Sequence, residues 1–246
     1  MAFTKKDIEE KLDMNNIPKH IGVIMDGNGR WAEARHLPRK AGHKAGAETL
    51  EKISRYCGKL GVKALTAYAF STENWNRPKE EVDNLMELLY NYLLQVEEKF
   101  KNENIRLCII GDRTPFSDKM KEAMAHAEDY TKDRDGIVLN MALNYGGRAE
   151  IANAARLVAE DVKNGKINPE DIDENYLGKY MYTADVPEVD LIIRPSGEER
   201  LSNFLLWQAA YAEFWYSEIN WPDFSEKDME RAIIDYQKRN RRFGKV

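Results

Sequence analysis

The sequence predicts an α/β fold, a mostly parallel central sheet of about six strands flanked by helices, and three observations carry that prediction. Short apolar runs rich in β-branched residues recur along the chain, and stretches of helical periodicity separate them. A polar cluster directly follows four of five such runs. Alternating strands and helices are most economically satisfied by parallel strands with helical crossovers, and ligands then bind beyond the carboxyl ends of the strands. The four clusters should therefore meet at one edge.

The first run, IGVIM (21–25), leads into DGNGR (26–30). Asp26 leaves the strand, and Gly27, Asn28 and Gly29 let backbone N–H groups approach a ligand closely. A helix beginning near Gly29 or Arg30 would aim its free N–H groups at the same point, which suits a phosphate. The same pattern also suits an ordinary strand-to-helix turn capped by Asp26. Trp31, Arg35, Arg39 and His43 follow; His43 is the one histidine of four in a charged cluster.

The run ALTAYAF (64–70) delivers Ser71, Thr72, Glu73, Asn74, Trp75 and Arg77, with Trp75 readable as an exposed clamp or as a loop anchor. Residues 79–102 predict a helix, because Val82, Leu85, Leu89, Leu93, Val96 and Phe100 form one apolar stripe. The runs IRLCIIG (105–111) and IVLNMAL (137–143) follow, the latter leading to NYGGR (144–148). VDLIIR (189–194) then leads to RPSGEER (194–200). In the aromatic stretch 203–224, Glu213 is either a rim residue of an amphipathic helix or a buried acid in need of a cation, a metal or a proton.

At 246 residues the chain is expected to form one domain, 1–246. Its 43% hydrophobic and 32% charged residues are those of a chain that folds. The net charge of −5 argues against nucleic acid as a partner. The two cysteines, Cys57 and Cys108, form no metal-binding motif, and neither a membrane span nor a signal-like leader is evident, so a cytoplasmic location is expected.

Arg30, Arg39, Arg77, Arg194 and Arg200 would converge at the sheet edge in a chain of net negative charge, where few carboxylates are expected to pair with them. Five guanidiniums exceed the needs of one monophosphate, which points to a diphosphate or to two phosphorylated substrates. Mg²⁺ then fits as cofactor, held by Asp26 with one distant partner among Glu73, Glu198, Glu199 and Glu213.

The motifs HIGVIMDGNGRWA, GHKAG, YAFSTENWNRP, LNYGGRAEI, IRPSGEERLSNFLLWQAAYAEF, WPDF and RRFG, in that order and across nearly the whole chain, resemble the cis-prenyltransferases, and within them the bacterial undecaprenyl diphosphate synthases. The resemblance implies Mg²⁺-dependent condensation of isopentenyl diphosphate onto farnesyl diphosphate, a homodimer, and a lipid product handed to the membrane from an enzyme peripheral to it. It implies that Asp26 is the essential carboxylate and that Gly27, Asn28, Gly29, Arg30, Trp31, Arg39 and His43 surround the allylic diphosphate. Ser71, Thr72, Glu73, Asn74, Trp75 and Arg77 would form a flap, with Asn74 near the proton transfer. Arg194, Arg200, Leu201 and Ser202 would take isopentenyl diphosphate, Glu213 would be the second metal carboxylate, and Arg241, Arg242 and Gly244 would complete the partner's site. A hydrophobic tunnel between sheet and helices is implied too, lined by Ala69, Leu85, Leu89, Ile105 and Ile137, with Ala47 and Ala69 leaving room for the tail. Pro195 departs from the family's threonine and removes a backbone donor; Glu199 stands at a variable position. A phosphohydrolase is disfavoured because Asn28 stands where a second acid would be expected, and a non-catalytic subunit because Asp26 and the arginines are present.

Overall fold

The structure, a computed structural model, describes residues 12–239. Six parallel strands form one sheet in the order β3-β4-β2-β1-β5-β6: β1 His20–Ile24, β2 Ala64–Ser71, β3 Ile105–Ile110, β4 Ile137–Tyr145, β5 Leu191–Arg194 and β6 Glu213–Tyr216. The five apolar runs are β1 to β5, within a residue or two at their ends. The sixth strand lies in the aromatic stretch 203–224, where periodicity favoured a helix. Its residues Glu213–Tyr216 are all half-buried, as an edge strand's are, so no alternation betrays it.

Side chains alternate between two faces. Ile21, Val23, Leu139, Met141, Leu191 and Ile193 enter the larger core, covered by α2 (Arg39–Leu60), α3 (Lys79–Leu94), α5 (Asp118–Thr131) and α8 (Glu226–Gln237). Ile24, Ala142 and Ile192 face the smaller one, closed by Phe204, Leu205 and Ala209 of an irregular segment. The expected helix 79–102 is interrupted at Gln95 and resumes as α4 (Val96–Lys99), yet its apolar stripe stays buried throughout.

Of the residues expected to line the tunnel, Ala69 and Leu85 border a cleft at the carboxyl edge of the sheet, while the others are core. Leu89 is 8% exposed and Ile105 and Ile137 are 2% exposed, each packed in the core. Ile105 and Ile137 pair with each other where β3 and β4 begin, far from the carboxyl edge.

Candidate active site

Because every strand runs the same way, the segments after β1, β2, β4 and β5 all emerge at one edge, as expected. There a cleft of about 850 Å³ is lined by Asp26, Gly27, Asn28, Gly29, Arg30, Arg39, His43, Ser71, Glu73, Asn74, Arg77, Arg194 and Ser202. Its apolar wall is Met25, Ala69 and Leu85. A neighbouring groove of about 690 Å³ between the start of α2 and α3 shares Arg39, His43, Pro78 and Glu81 with it.

The turn after β1 depends on Gly27, whose φ of 91° is left-handed and whose place a Cβ could not share with Ser196, 2.8 Å from its Cβ. It leads into α1 (Asn28–Glu33), one residue earlier than expected. Gly42 and Gly46 let α2 approach α1 closely, since a Cβ on Gly46 would lie 3.0 Å from Asn28 Cγ. That approach explains the GHKAG spacing.

Asp26 is the charged centre of the cleft. Its Oδ2 accepts from Arg194 Nη2 at 2.8 Å, and its Oδ1 from Arg30 Nη2 at 3.3 Å and from the Gly27 N–H at 2.7 Å. Burial pushes this carboxyl up, but the hydrogen bonds from Arg194 and Gly27 and the charges of Arg194 and Arg30 outweigh it and hold the group below its ordinary range. Asp26 is therefore ionised at neutral pH. Arg194, only 4% exposed, also donates to Ser202 Oγ at 2.8 Å and to the Arg200 carbonyl, while Arg30 reaches the Ser196 carbonyl at 2.7 Å.

Glu81, which belongs to none of the sequence motifs, gathers the second group of cations. It accepts from Arg77 at 2.9 Å and from Arg39 at 3.2 Å, with His43 Nε2 at 4.0 Å. The signal was the four-residue spacing of Arg77 and Glu81 across a helix start. Burial lowers the His43 imidazole, Arg77 and Arg39 lower it further, and Glu81 opposes them, so His43 is neutral at pH 7. Among the described residues, Asn28 Oδ1, His43 Nε2 and Arg194 Nε are buried without a hydrogen-bond partner, which leaves bonding capacity on the cleft wall.

Other expected site residues are held by partners of their own. Trp75 is an anchor: its Nε1 donates to Asn144 Oδ1 at 2.9 Å and its ring packs edge-on against Phe70. Trp31 donates to Asp223 Oδ1 at 2.7 Å, beneath Arg35. Arg200 is exposed and paired with Glu198, and Leu201 packs on the smaller core. Thr72 donates to Glu73 at 3.1 Å rather than lining the cleft. Asn74 accepts the Ser71 N–H at 3.1 Å, so its carbonyl oxygen caps the short 3₁₀ turn Thr72–Asn76. The NYGGR turn backs the site without lining it, for Gly147 N–H and Arg148 N–H both bond to Asn203. Asn203, itself missed, also donates to Glu73 at 2.9 Å and so ties the 71–77 segment to the 194–203 loop.

Glu213 does not meet Asp26 within one chain. It opens β6 in register with Leu191, three residues before Arg194, which places it about 10 Å toward the opposite end of the sheet. There it pairs with Arg239 at 2.6 Å. Arg241, Arg242 and Gly244 lie outside the described residues. Among the described residues no three His, Cys, Asp or Glu side chains cluster as a metal site. Mg²⁺ needs only one or two carboxylates beside water and phosphate oxygens, so an ionised, 28%-exposed Asp26 fits it.

Fold and cleft together define an α/β enzyme that handles anions at the carboxyl edge of its sheet. Residues 24–244 match the family model described as putative undecaprenyl diphosphate synthase; the chain belongs to that family and is a transferase. It is 52% identical to an isoprenyl transferase of Clostridium perfringens, over 99% of this chain and 98% of that one. Among solved structures it is similar to lavandulyl diphosphate synthase from Lavandula x intermedia in complex with dimethylallyl diphosphate, with a TM-score of 0.89 and 36% identity over 94% of this chain and 100% of that one. It is also similar to a probable undecaprenyl diphosphate synthase from Campylobacter jejuni, with a TM-score of 0.77 and 37% identity at the same coverage.

Proposed function

We propose that this enzyme condenses isopentenyl diphosphate repeatedly onto farnesyl diphosphate, with cis geometry, to make undecaprenyl diphosphate, the lipid carrier precursor for cell-wall synthesis. One observation carries the reading: an ionised Asp26 sits between Arg30 and Arg194 in a cleft whose other wall is apolar. A prenyl diphosphate has that same polarity, a charged head on an apolar tail.

In each cycle the alkene of isopentenyl diphosphate attacks the allylic carbon, a C–C bond forms, the allylic C–O bond breaks and diphosphate departs. Charge grows on the leaving group, and Arg30, Arg39, Arg77 and the N–H groups opening α1 are preorganised around the place where it develops. Arg194 and Ser202 take the second diphosphate. A Mg²⁺ held by Asp26 and diphosphate oxygens would neutralise part of that charge. The proton lost from the new allylic unit goes to a diphosphate oxygen or to water, since Asn74 is an amide engaged with Ser71.

Glu213 serves a metal only when delivered by a second copy, which agrees with a homodimer. The enzyme works in the cytoplasm and hands its product to the membrane; no helix among the described residues is long and apolar enough to cross one. The second reading is a cis-prenyltransferase of different product length, decided by the space beside Ala69 and Leu85 on the apolar wall.

The test is incorporation of labelled isopentenyl diphosphate with farnesyl diphosphate, with Mg²⁺ or excess chelator, followed by chain-length separation. A Mg²⁺-dependent product of eleven units, lost in Asp26→Ala, is expected. Products of another length select the second reading, and no incorporation by folded protein refutes both.

A further inference from the structure

The turn that presents Asp26 is braced from a segment that contributes nothing to the cleft lining. Residues 220–224, NWPDF, lie under the β1 exit. The Trp221 N–H donates to the Asp26 carbonyl at 2.9 Å, and the fully buried Trp221 ring donates through Nε1 to the Gly46 carbonyl at 2.9 Å. Thr49 Oγ1 donates to the Pro222 carbonyl at 3.1 Å, so the segment is fastened to α2 as well. Asn220 stands at its head, and Asn220 Oδ1 accepts from Ser196 Oγ at 2.7 Å.

Ser196 is 3% exposed and holds a left-handed φ of 79°, a conformation a non-glycine residue keeps only when its surroundings impose it. Both side chains press on Gly27, leaving no room for a Cβ there. The carbonyl of Ser196 in turn receives Arg30 Nη1 at 2.7 Å. The Ser196–Asn220 bond thus ties the β5 exit to the 220–224 segment, which the Trp221 N–H in turn ties to the β1 exit, so the direction of the Asp26 carboxylate and the reach of Arg30 are set together.

We propose that Asn220, through the hydrogen bond it accepts from Ser196, is a positioning residue that orients the Asp26–Gly27 turn and Arg30 for the reaction. The inference rests on the reading of Asp26 as the reacting carboxylate. Asn220 touches no substrate in this account. Its effect is felt in turnover, because a carboxylate and a guanidinium displaced by a fraction of an ångström still bind the diphosphate but no longer meet it in the reactive geometry.

The experiment is steady-state kinetics of the full chain with Asn220→Ala, Ser196→Ala, the double variant and Asn220→Asp, which keeps the acceptor oxygen. A fall in kcat of about five- to tenfold is expected for each alanine variant, the size of one lost neutral hydrogen bond. KM for both diphosphates should change less than twofold, the double variant should be no worse than either single, and Asn220→Asp should recover most of the rate. Thermal melts check that each variant is folded, and Ser196→Ala carries the test where Asn220→Ala does not fold. An unchanged kcat, losses that multiply in the double variant, or an effect on KM alone would overturn the proposal. Full activity in Asp26→Ala would instead refute the functional reading beneath it.

Discussion

Replacing Arg194 by methionine tests the central electrostatic claim, because it keeps an unbranched apolar stem and removes the buried cation that touches Asp26. Three interactions go with it: the bond to Asp26 at 2.8 Å, the bond to Ser202 at 2.8 Å and the contact with the Arg200 carbonyl. Breaking a fully buried ion pair by deleting one partner costs roughly 3–5 kcal/mol. Asp26 is 28% exposed and can rehydrate, so a loss of about 2 kcal/mol is expected. At roughly 2–4 °C per kcal/mol for a chain of this size, the melting temperature should fall by about 4–8 °C. Catalysis should suffer more, with kcat/KM down by roughly 100-fold, because Arg194 both directs Asp26 and, in the proposed function, holds the second diphosphate in reactive position. The pH dependence has a definite sign. Asp26 is held below its ordinary value of 3.8, so its pairing stabilises the fold above that pH and the contribution is lost as pH falls through the lower, folded value. The gap in melting temperature between the parent chain and Arg194→Met should accordingly be widest at pH 7 and shrink below about pH 3.8. Calorimetry across that range and a labelled-substrate assay measure both effects. A gap that does not narrow, or a kcat/KM within threefold of the parent, refutes the assignment of the Asp26–Arg194 pair.

Gly27→Ala should destabilise the chain by about 1–3 kcal/mol, from the left-handed φ of 91° and the missing space beside Ser196 and Asn220, and should lower activity; a denaturation midpoint equal to the parent's would contradict the turn geometry. His20, buried between the Pro187 carbonyl and Thr66 Oγ1 at 2.7 Å each, is pushed by burial down to about 4. The unfolded chain takes up a proton below pH 6.5 that the folded one refuses, so stability drops by roughly 2 kcal/mol between pH 6.5 and 5. His20→Gln should be less stable at pH 7 yet flat over that interval, and urea titrations showing parallel slopes would dispose of this account. Ala69→Leu narrows the apolar wall and should shift products to shorter lengths, and an unchanged product ladder would show that the growing chain takes another path.

Much of this architecture is legible in the sequence because a parallel sheet writes itself in two registers at once. Buried on both faces, β1, β2, β4 and β5 read as continuous apolar runs, and each is followed by the polar residues that its carboxyl end exposes. What escaped the reading escaped for physical reasons. β6 is half-buried along its whole length and carries no period of two. Trp75 and Asn74 were ambiguous because an indole or an amide at a loop serves equally as anchor, cap or ligand, and only the positions of Asn144 and Ser71 decide between them. Glu213 lies beside aromatic residues in the sequence, but its register with Leu191 is a property of strand pairing, which no local window contains.

The arginines themselves were legible, but their partners were not, and the partners change how the cleft must work. From the sequence, few carboxylates are expected at that edge. Arg194 and Arg30 instead share Asp26, Arg39 and Arg77 share Glu81, and Arg200 holds Glu198. Four guanidiniums of the lining therefore face two carboxylates in direct pairs, with Glu73 a third acid on the lining and the Arg200–Glu198 pair outside it. The cleft is close to charge balance as it stands, so under the proposed function affinity for a diphosphate would come less from bare positive charge than from exchange, in which phosphate oxygens replace carboxylates at guanidiniums already held in place. That arrangement would keep most of the cost of ordering these long side chains inside the folding of the protein rather than in each binding event. It also supplies a route for release, because the same carboxylates stand ready to reclaim the arginines when a diphosphate leaves.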